Sequence, residues 1–231
     1  MIKIYCDTAE IKVIKKCIDK YKVDGVTTNP SIMRANGVKN YKSQCLKILN
    51  ICKKKPLSVE VFADKPKEIY EQVKKIHSWN KSLFVKIPIV NTKGVILNNI
   101  IKKANNEGIR INITAVFTSQ QLNKIKSSIN KSTPVIISIF CGRIADNGSD
   151  PEIIVKKAIK IFKNYKNVKI LWASTREVYN FFQANKIGCH IITMGPKFIE
   201  KLKSKKLSLR EYSIQTVKQF YSDGKKSRFK I

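Results

Sequence analysis

Arginine is scarce in this chain of 231 residues. There are six (Arg34, Arg110, Arg143, Arg176, Arg210 and Arg228) against 40 lysines. Proteins that read nucleic-acid sequence favour arginine, whose planar fork makes bidentate contacts with bases and phosphates. The lysines are also spread along nearly the whole chain instead of gathering in one patch. The net charge of +30 is therefore read as a lysine-covered solvated surface, and no nucleic-acid partner is expected. A positive field of this kind still helps to collect phosphorylated small anions. Long apolar runs are missing: none approaches the roughly 20 residues that span a bilayer. The opening Met-Ile-Lys-Ile-Tyr-Cys-Asp lacks the charged-then-apolar order of a secretory leader, so a soluble cytoplasmic protein is expected. Cys6, Cys17, Cys45, Cys52, Cys141 and Cys189 contain no C-x-x-C pair and no zinc-like spacing with His77 or His190. All six are expected to be reduced and to behave as small core hydrophobes. No G-x-G-x-x-G follows the first apolar run, which argues against a dinucleotide-binding open sheet, and no Gly/Ser/Pro-rich linker divides the chain.

What is present is one unit repeated. Short runs rich in Ile and Val predict strands at Ile2–Asp7, Asp24–Asn29, Leu57–Phe62, Leu83–Ile89, Arg110–Phe117, Pro134–Phe140, Val168–Ser174 and His190–Met194. Between them, apolar residues at three- and four-residue steps predict helices at Ala9–Tyr21, Tyr41–Lys53, Lys65–Trp79, Thr92–Asn106, Ser119–Ile129, Asp150–Tyr165, Arg176–Asn185 and Pro196–Leu202. Asp150-Pro151-Glu152 combines an N-cap, a first-turn proline and an acidic first turn. Strands separated by helices require parallel, right-handed crossovers. Eight such units predict a single (β/α)8 TIM barrel over residues 1–222, with an additional C-terminal helix from Ser208 to about Tyr221 and a basic, loose tail at 223–231.

Buried parallel strands are almost wholly apolar, and in such a barrel the chemistry sits at the C-terminal strand ends. Polar residues late in the strands are thus the candidates. They are Asp7; Thr27-Thr28-Asn29; Glu60; Lys86; Asn112 and Thr114; Ser138, followed by Arg143; and Ser174-Thr175-Arg176. Lys86, flanked by Phe84, Val85, Ile87 and Pro88, has little access to water. Burial favours the neutral, nucleophilic amine, whereas a salt bridge to Glu60 or Asp7 would keep it charged. Strand context alone leaves both open. Asp7 and Glu60 suit proton shuttling around an imine, or simple ion pairing. Arg143 and Arg176 follow adjacent strands and suit one phosphate group, or rim salt bridges. His77, within a helix, and His190, at the start of a strand, look structural.

These residues in this order resemble the transaldolase family, which includes fructose-6-phosphate aldolases. The resemblance runs from Ile4 to about Leu202 and rests on Asp24-Gly-Val-Thr-Thr-Asn-Pro-Ser31, Val85-Lys-Ile-Pro88, Asn112-Ile-Thr-x-x-Phe117 with Gln121, Ser138-Ile-Phe-Cys-Gly-Arg143 and Ala173-Ser-Thr-Arg176. It implies that Lys86 forms a Schiff base with a ketose phosphate and that Asp7 takes and returns the hydroxyl proton beside the breaking carbon–carbon bond. Glu60 and Thr114 would hold a relay water, and Asn29 and Asn112 would bind a dihydroxyacetone unit. Arg143, Arg176 and Ser174 would bind phosphate beside Ser138. No metal or organic cofactor is implied. The aldolase-type members resemble a pattern with Gln at the position of Glu60 and Tyr at that of Phe140, so the resemblance points to a transaldolase of the pentose phosphate pathway. The alternatives are an aldolase-like lyase and, more distantly, a basic nucleic-acid-binding barrel. Ile139, Trp172 and Thr175 depart from common family choices. The extra C-terminal helix resembles small members that form homo-oligomeric rings, often decamers.

Overall fold

Each of the eight Ile/Val-rich segments forms a strand, and each strand hydrogen-bonds to the next in sequence until the eighth returns to the first. The computed structural model describes residues 1–204 and 206–228. Its elements are β1 (Lys3–Asp7), α1 (Ile11–Asp19), β2 (Gly25–Thr27), α2 (Pro30–Ala35), α3 (Tyr41–Cys52), β3 (Leu57–Glu60), α4 (Pro66–Trp79), β4 (Phe84–Pro88), α5 (Asn98–Asn106) and β5 (Ile111–Val116). They continue as α6 (Ser119–Lys126), β6 (Val135–Ile139), α7 (Cys141–Asp146), α8 (Pro151–Ile161), β7 (Val168–Trp172), α9 (Tyr179–Lys186), β8 (Ile191–Met194), α10 (Pro196–Lys203) and α11 (Leu209–Ser227). The closed, all-parallel sheet is a (β/α)8 barrel, as the repeat predicted.

The strands fall within two or so residues of their expected ends. The helices between strands four and five, and between seven and eight, begin later than expected. The first of these starts at Asn98, six residues after Thr92. The Asn91 side chain accepts from the backbone N–H groups of Lys93 and Val95, and Asp64 binds both the N–H and the hydroxyl of Thr92. These local bonds give the backbone an alternative to a helical turn. Two six-residue helices, α2 and α7, were not anticipated; both follow strand ends directly. Along α8, Asp150 caps as expected; Ile154, Val155 and Ala158 are buried, and Ile153 points to solvent.

Two compact units divide the chain, Met1–Lys201 and Leu202–Ile231. The second carries α11, which is capped reciprocally by Ser208 and Glu211 and runs to Ser227, through much of the stretch expected as a tail. Residues 229–231 lie outside the described residues. Leu209, Tyr212, Val217, Phe220 and Tyr221 of this helix are exposed. Among the described residues no helix is long and apolar enough to cross a membrane.

The barrel interior is layered by the two-residue alternation of strands. Tyr5, Phe84, Ile136, Leu171 and Ile191 cluster as an apolar floor. Two residues further along the same strands, the same face carries Asp7, Lys86, Ser138, Ala173 and Thr193. The floor excludes water from below and the polar layer opens only toward the C-terminal mouth. Gly25 makes this packing close: a Cβ there would lie 2.8 Å from the Tyr5 ring and 2.9 Å from the Pro56 carbonyl oxygen. We expect Gly25→Ala to cost roughly 1–3 kcal/mol through overpacking, read as a lower urea midpoint.

Candidate active site

Val85 and Ile87 are fully buried on the helix-facing side of β4, so strand alternation turns Lys86 into the barrel. Lys86 is 6% exposed and is the one buried lysine among the described residues. Glu60 is its register partner on β3. The Lys86 Nζ lies 2.9 Å from Glu60 Oε2 and donates to the Thr28 carbonyl at 3.1 Å. Of the two arrangements left open by the sequence, the resting chain holds the ion pair, and it selects Glu60, not Asp7, as the partner. Tyr41 donates to the Glu60 carbonyl at 2.7 Å and fixes the strand end from outside.

Asp7, at the end of β1, lines the pocket. The Thr27 hydroxyl donates to Asp7 Oδ1 at 2.7 Å, and Thr27 Oγ1 is 2.6 Å from Thr193 Oγ1 on β8. Burial raises the Asp7 pKa, against the opposing effects of the Lys86 charge and the Thr27 hydrogen bond, while the Glu60 charge adds to the rise. On the β5 side, Asn112 donates to Ser58 Oγ at 3.1 Å and accepts from Ser138 Oγ at 2.7 Å. Asn112 is wholly buried and sits just behind the pocket wall, whereas Ser138 lines it. Thr114 also lines the pocket, and its buried hydroxyl has no protein partner. The next residue, Ala115, has φ +56°, at an irregularity in the β5–β6 pairing. Such a bulge re-aims the side chains beside it. Asn29 caps α2 by accepting from Ile32 N–H at 2.8 Å, which leaves its amide NH2 as the group available to donate.

The rim is cationic. Arg143 lies on α7 with its guanidinium carbon 5.8 Å from the Phe140 ring centroid. Arg176 Nε lies 3.0 Å from Asp146 Oδ1 and its Nη1 donates to the Ser174 carbonyl at 3.3 Å. Both partners of the Arg176–Asp146 pair are about half exposed, and exposed pairs of this kind contribute little to stability. It is an exchangeable contact. Ser174 holds φ +64°. A Cβ on Gly142 would sit 1.6 Å from the Ser174 carbonyl oxygen, so α7 approaches the end of β7 only because residue 142 is glycine.

Asp7, Asn29, Glu60, Lys86, Thr114, Ser138, Phe140, Arg143, Ser174 and Arg176 all line one cavity of about 650 Å³. Of the residues singled out in the sequence as site candidates, Asn112 and Thr28 do not line it. Thr193, Ser58 and Asp146 were missed. Thr193 had a usable signal, a polar residue within Ile191-Ile192-Thr193-Met194, the same pattern that singled out the other seven strands. His190 lies at the opposite end, where its Nδ1 accepts from Ile170 N–H at 3.0 Å, and His77 lies in α4.

A (β/α)8 barrel with a buried lysine and two carboxylates in its C-terminal mouth is the architecture of a barrel enzyme. The chain belongs to the family described as Transaldolase/Fructose-6-phosphate aldolase, which matches residues 4–231. It is 32% identical over 202 residues to a protein named probable transaldolase from Herpetosiphon aurantiacus, covering 87% of each chain. A probable transaldolase from Thermoplasma volcanium is 37% identical over 197 residues, covering 84% of each. Solved structures share the fold at low identity. One, described as "Native KDPGal structure", has a TM-score of 0.56 at 12% identity, covering 90% of this chain and 87% of that one. Thiamine phosphate pyrophosphorylase from Pyrococcus furiosus also gives 0.56, at 9% identity, covering 88% and 98%.

The raised Asp7 pKa has a definite sign for stability. A carboxyl whose folded pKa lies above its unfolded value contributes stability that is fully present below the unfolded pKa and lost as pH rises through the folded one. Asp7→Asn removes that loss. We expect the variant to melt at a higher temperature than the parent at pH 7, with the gap closing toward pH 4, in thermal denaturation across pH.

Proposed function

We propose that this protein is a transaldolase that moves a dihydroxyacetone unit from a ketose phosphate (sedoheptulose 7-phosphate or fructose 6-phosphate) to an aldose phosphate (glyceraldehyde 3-phosphate or erythrose 4-phosphate) through a Schiff base on Lys86. The observation that carries the reading is the buried Lys86 Nζ, 2.9 Å from a carboxylate and facing a cavity rimmed by two arginines. A proton passing from Lys86 to Glu60 leaves the neutral amine that a carbonyl addition requires. The amine adds to the ketose carbonyl, and loss of water gives the imine. Glu60 and the Thr114 hydroxyl are the groups we assign to the water that carries these protons.

Imine formation makes an electron sink. Asp7 then takes the proton of the hydroxyl beside the scissile bond, that bond's electrons flow into the imine, and an aldehyde leaves from the enamine held on Lys86. The reverse sequence with a new aldose phosphate, Asp7 returning its proton, completes transfer. Asn29 would donate to the three-carbon unit, with Asn112 supporting it through Ser138. Arg143 and Arg176, beside Ser174, would take the phosphate, with Arg176 exchanging an exposed pairing with Asp146 for a dianion. The reading includes cytoplasmic residence, favoured by six free, buried cysteines, and a homo-oligomer, favoured by the exposed apolar residues of α11.

The competing reading is an aldolase-like lyase. Phe140 favours transfer, because its ring lines the cavity without a proton to give. An enamine beside it is protonated slowly and persists until an acceptor arrives.

Two outcomes test the reading. Lys86→Met should lower turnover by roughly 10⁴-fold or more with the fold intact, and borohydride with fructose 6-phosphate should leave a reduced covalent adduct of the sugar or of its three-carbon unit on the parent chain but not on this variant. Release of glyceraldehyde 3-phosphate from fructose 6-phosphate should be sustained only with erythrose 4-phosphate present. Equal release without the acceptor would establish the lyase.

A further inference from the structure

Thr27 and Thr193 stand on β2 and β8, the two strands that flank β1, and their hydroxyls meet across the barrel interior beside Asp7. Both are buried, at 2% and 5% exposure, in the wall of the cavity. Each hydroxyl carries a single proton, and an ionised carboxylate only accepts. The 2.7 Å contact with Asp7 therefore consumes the proton of Thr27, so the 2.6 Å contact between the hydroxyls has to be made by the proton of Thr193. With Asp7 ionised, the chain has one direction: Thr193 donates to Thr27, and Thr27 donates to Asp7 Oδ1.

We propose that Thr193 is a positioning residue for Asp7, acting through Thr27 to determine which carboxylate oxygen takes the proton and how firmly it is held. The inference rests on the role given to Asp7 above. A proton arriving on Oδ1 would compete with the Thr27 donor for the same oxygen and weaken the bond it makes. A proton arriving on Oδ2 leaves the chain as it stands, so Oδ2 is the basic oxygen. A donor one step removed also polarises the bond it feeds, which steadies the anion in a site where burial works against it. The other groups whose charge bears on Asp7 are Lys86 on β4 and Glu60 on β3, with the Cys6 thiol adjacent on β1. None of them is touched by a change at Thr193.

Thr193→Val keeps the shape and removes the donor, and Thr193→Ser keeps the donor. In the valine variant the acidic limb of kcat/KM against pH should move up by about half a unit, costing about three-fold in rate below the limb. The serine variant should follow the parent. Asp7 titration followed by carbon NMR in the free protein should shift in the same direction without any substrate. Borohydride trapping on Lys86 well above the limb should be equal in all three proteins. An unmoved Asp7 titration in Thr193→Val, or an equal shift in Thr193→Ser, would overturn the inference, the second by assigning the effect to the lost methyl group's packing. Absence of any trapped adduct in the parent would instead strike the role given to Asp7 in sugar cleavage, and the NMR titration would still decide whether Thr193 governs Asp7.

Discussion

An ammonium group taken out of water carries a penalty of several kcal/mol unless a well-placed opposite charge offsets it. In this barrel the offset comes from Glu60, one strand away and in register with Lys86. The contact constrains much else. It needs β3 and β4 adjacent and unshifted, and it needs the apolar floor of Tyr5, Phe84, Ile136, Leu171 and Ile191 to keep water from entering below. On the function proposed for it, Glu60 is also the group that takes the Lys86 proton across this short distance.

The polar layer around this pair is built by hydrogen bonds that leave few free choices. Asn112 is held at both ends by Ser58 and Ser138, and Asn29 is anchored by its cap. Of the five non-glycine residues with positive φ among the described residues, Lys22, Lys53 and Arg228 do not line the cavity, whereas Ser174 lines it and Ala115 follows the lining Thr114. Non-glycine residues with positive φ carry local strain, which persists where the surrounding structure over-determines it. At Ser174 the over-determination is visible, because Gly142 packs directly against its carbonyl.

Much of this was legible in the sequence, because strand alternation and burial both act locally. Lys86 between Val85 and Ile87 could only face inward, and a polar residue in a buried strand announces a pocket. The eight strands follow from Ile/Val runs for the same reason. What escaped was set by contacts distant in sequence. Asp146 reaches Arg176 from 30 residues away, and Thr27 reaches Thr193 from 166. The late start of α5 was hidden because Asp64, on another loop, captures Thr92. The competing ion pair on Arg176 was foreseen as a type, but not its partner.

All six cysteines are free and buried, and burial lifts the thiols of Cys45, Cys52 and Cys189 to about 12. As neutral thiols without access these three are inert toward electrophiles, since the thiolate is the reacting form. The six cysteines lie on β1, α1, α3 and α7 and just before β8, and the arc from β3 to β6 holds none. A sulfur-modifying agent meets this chain only when a sector opens. Chemical damage is thereby coupled to loss of structure: a molecule that stays folded keeps its sulfurs, and one that opens in a cysteine-bearing sector is marked there.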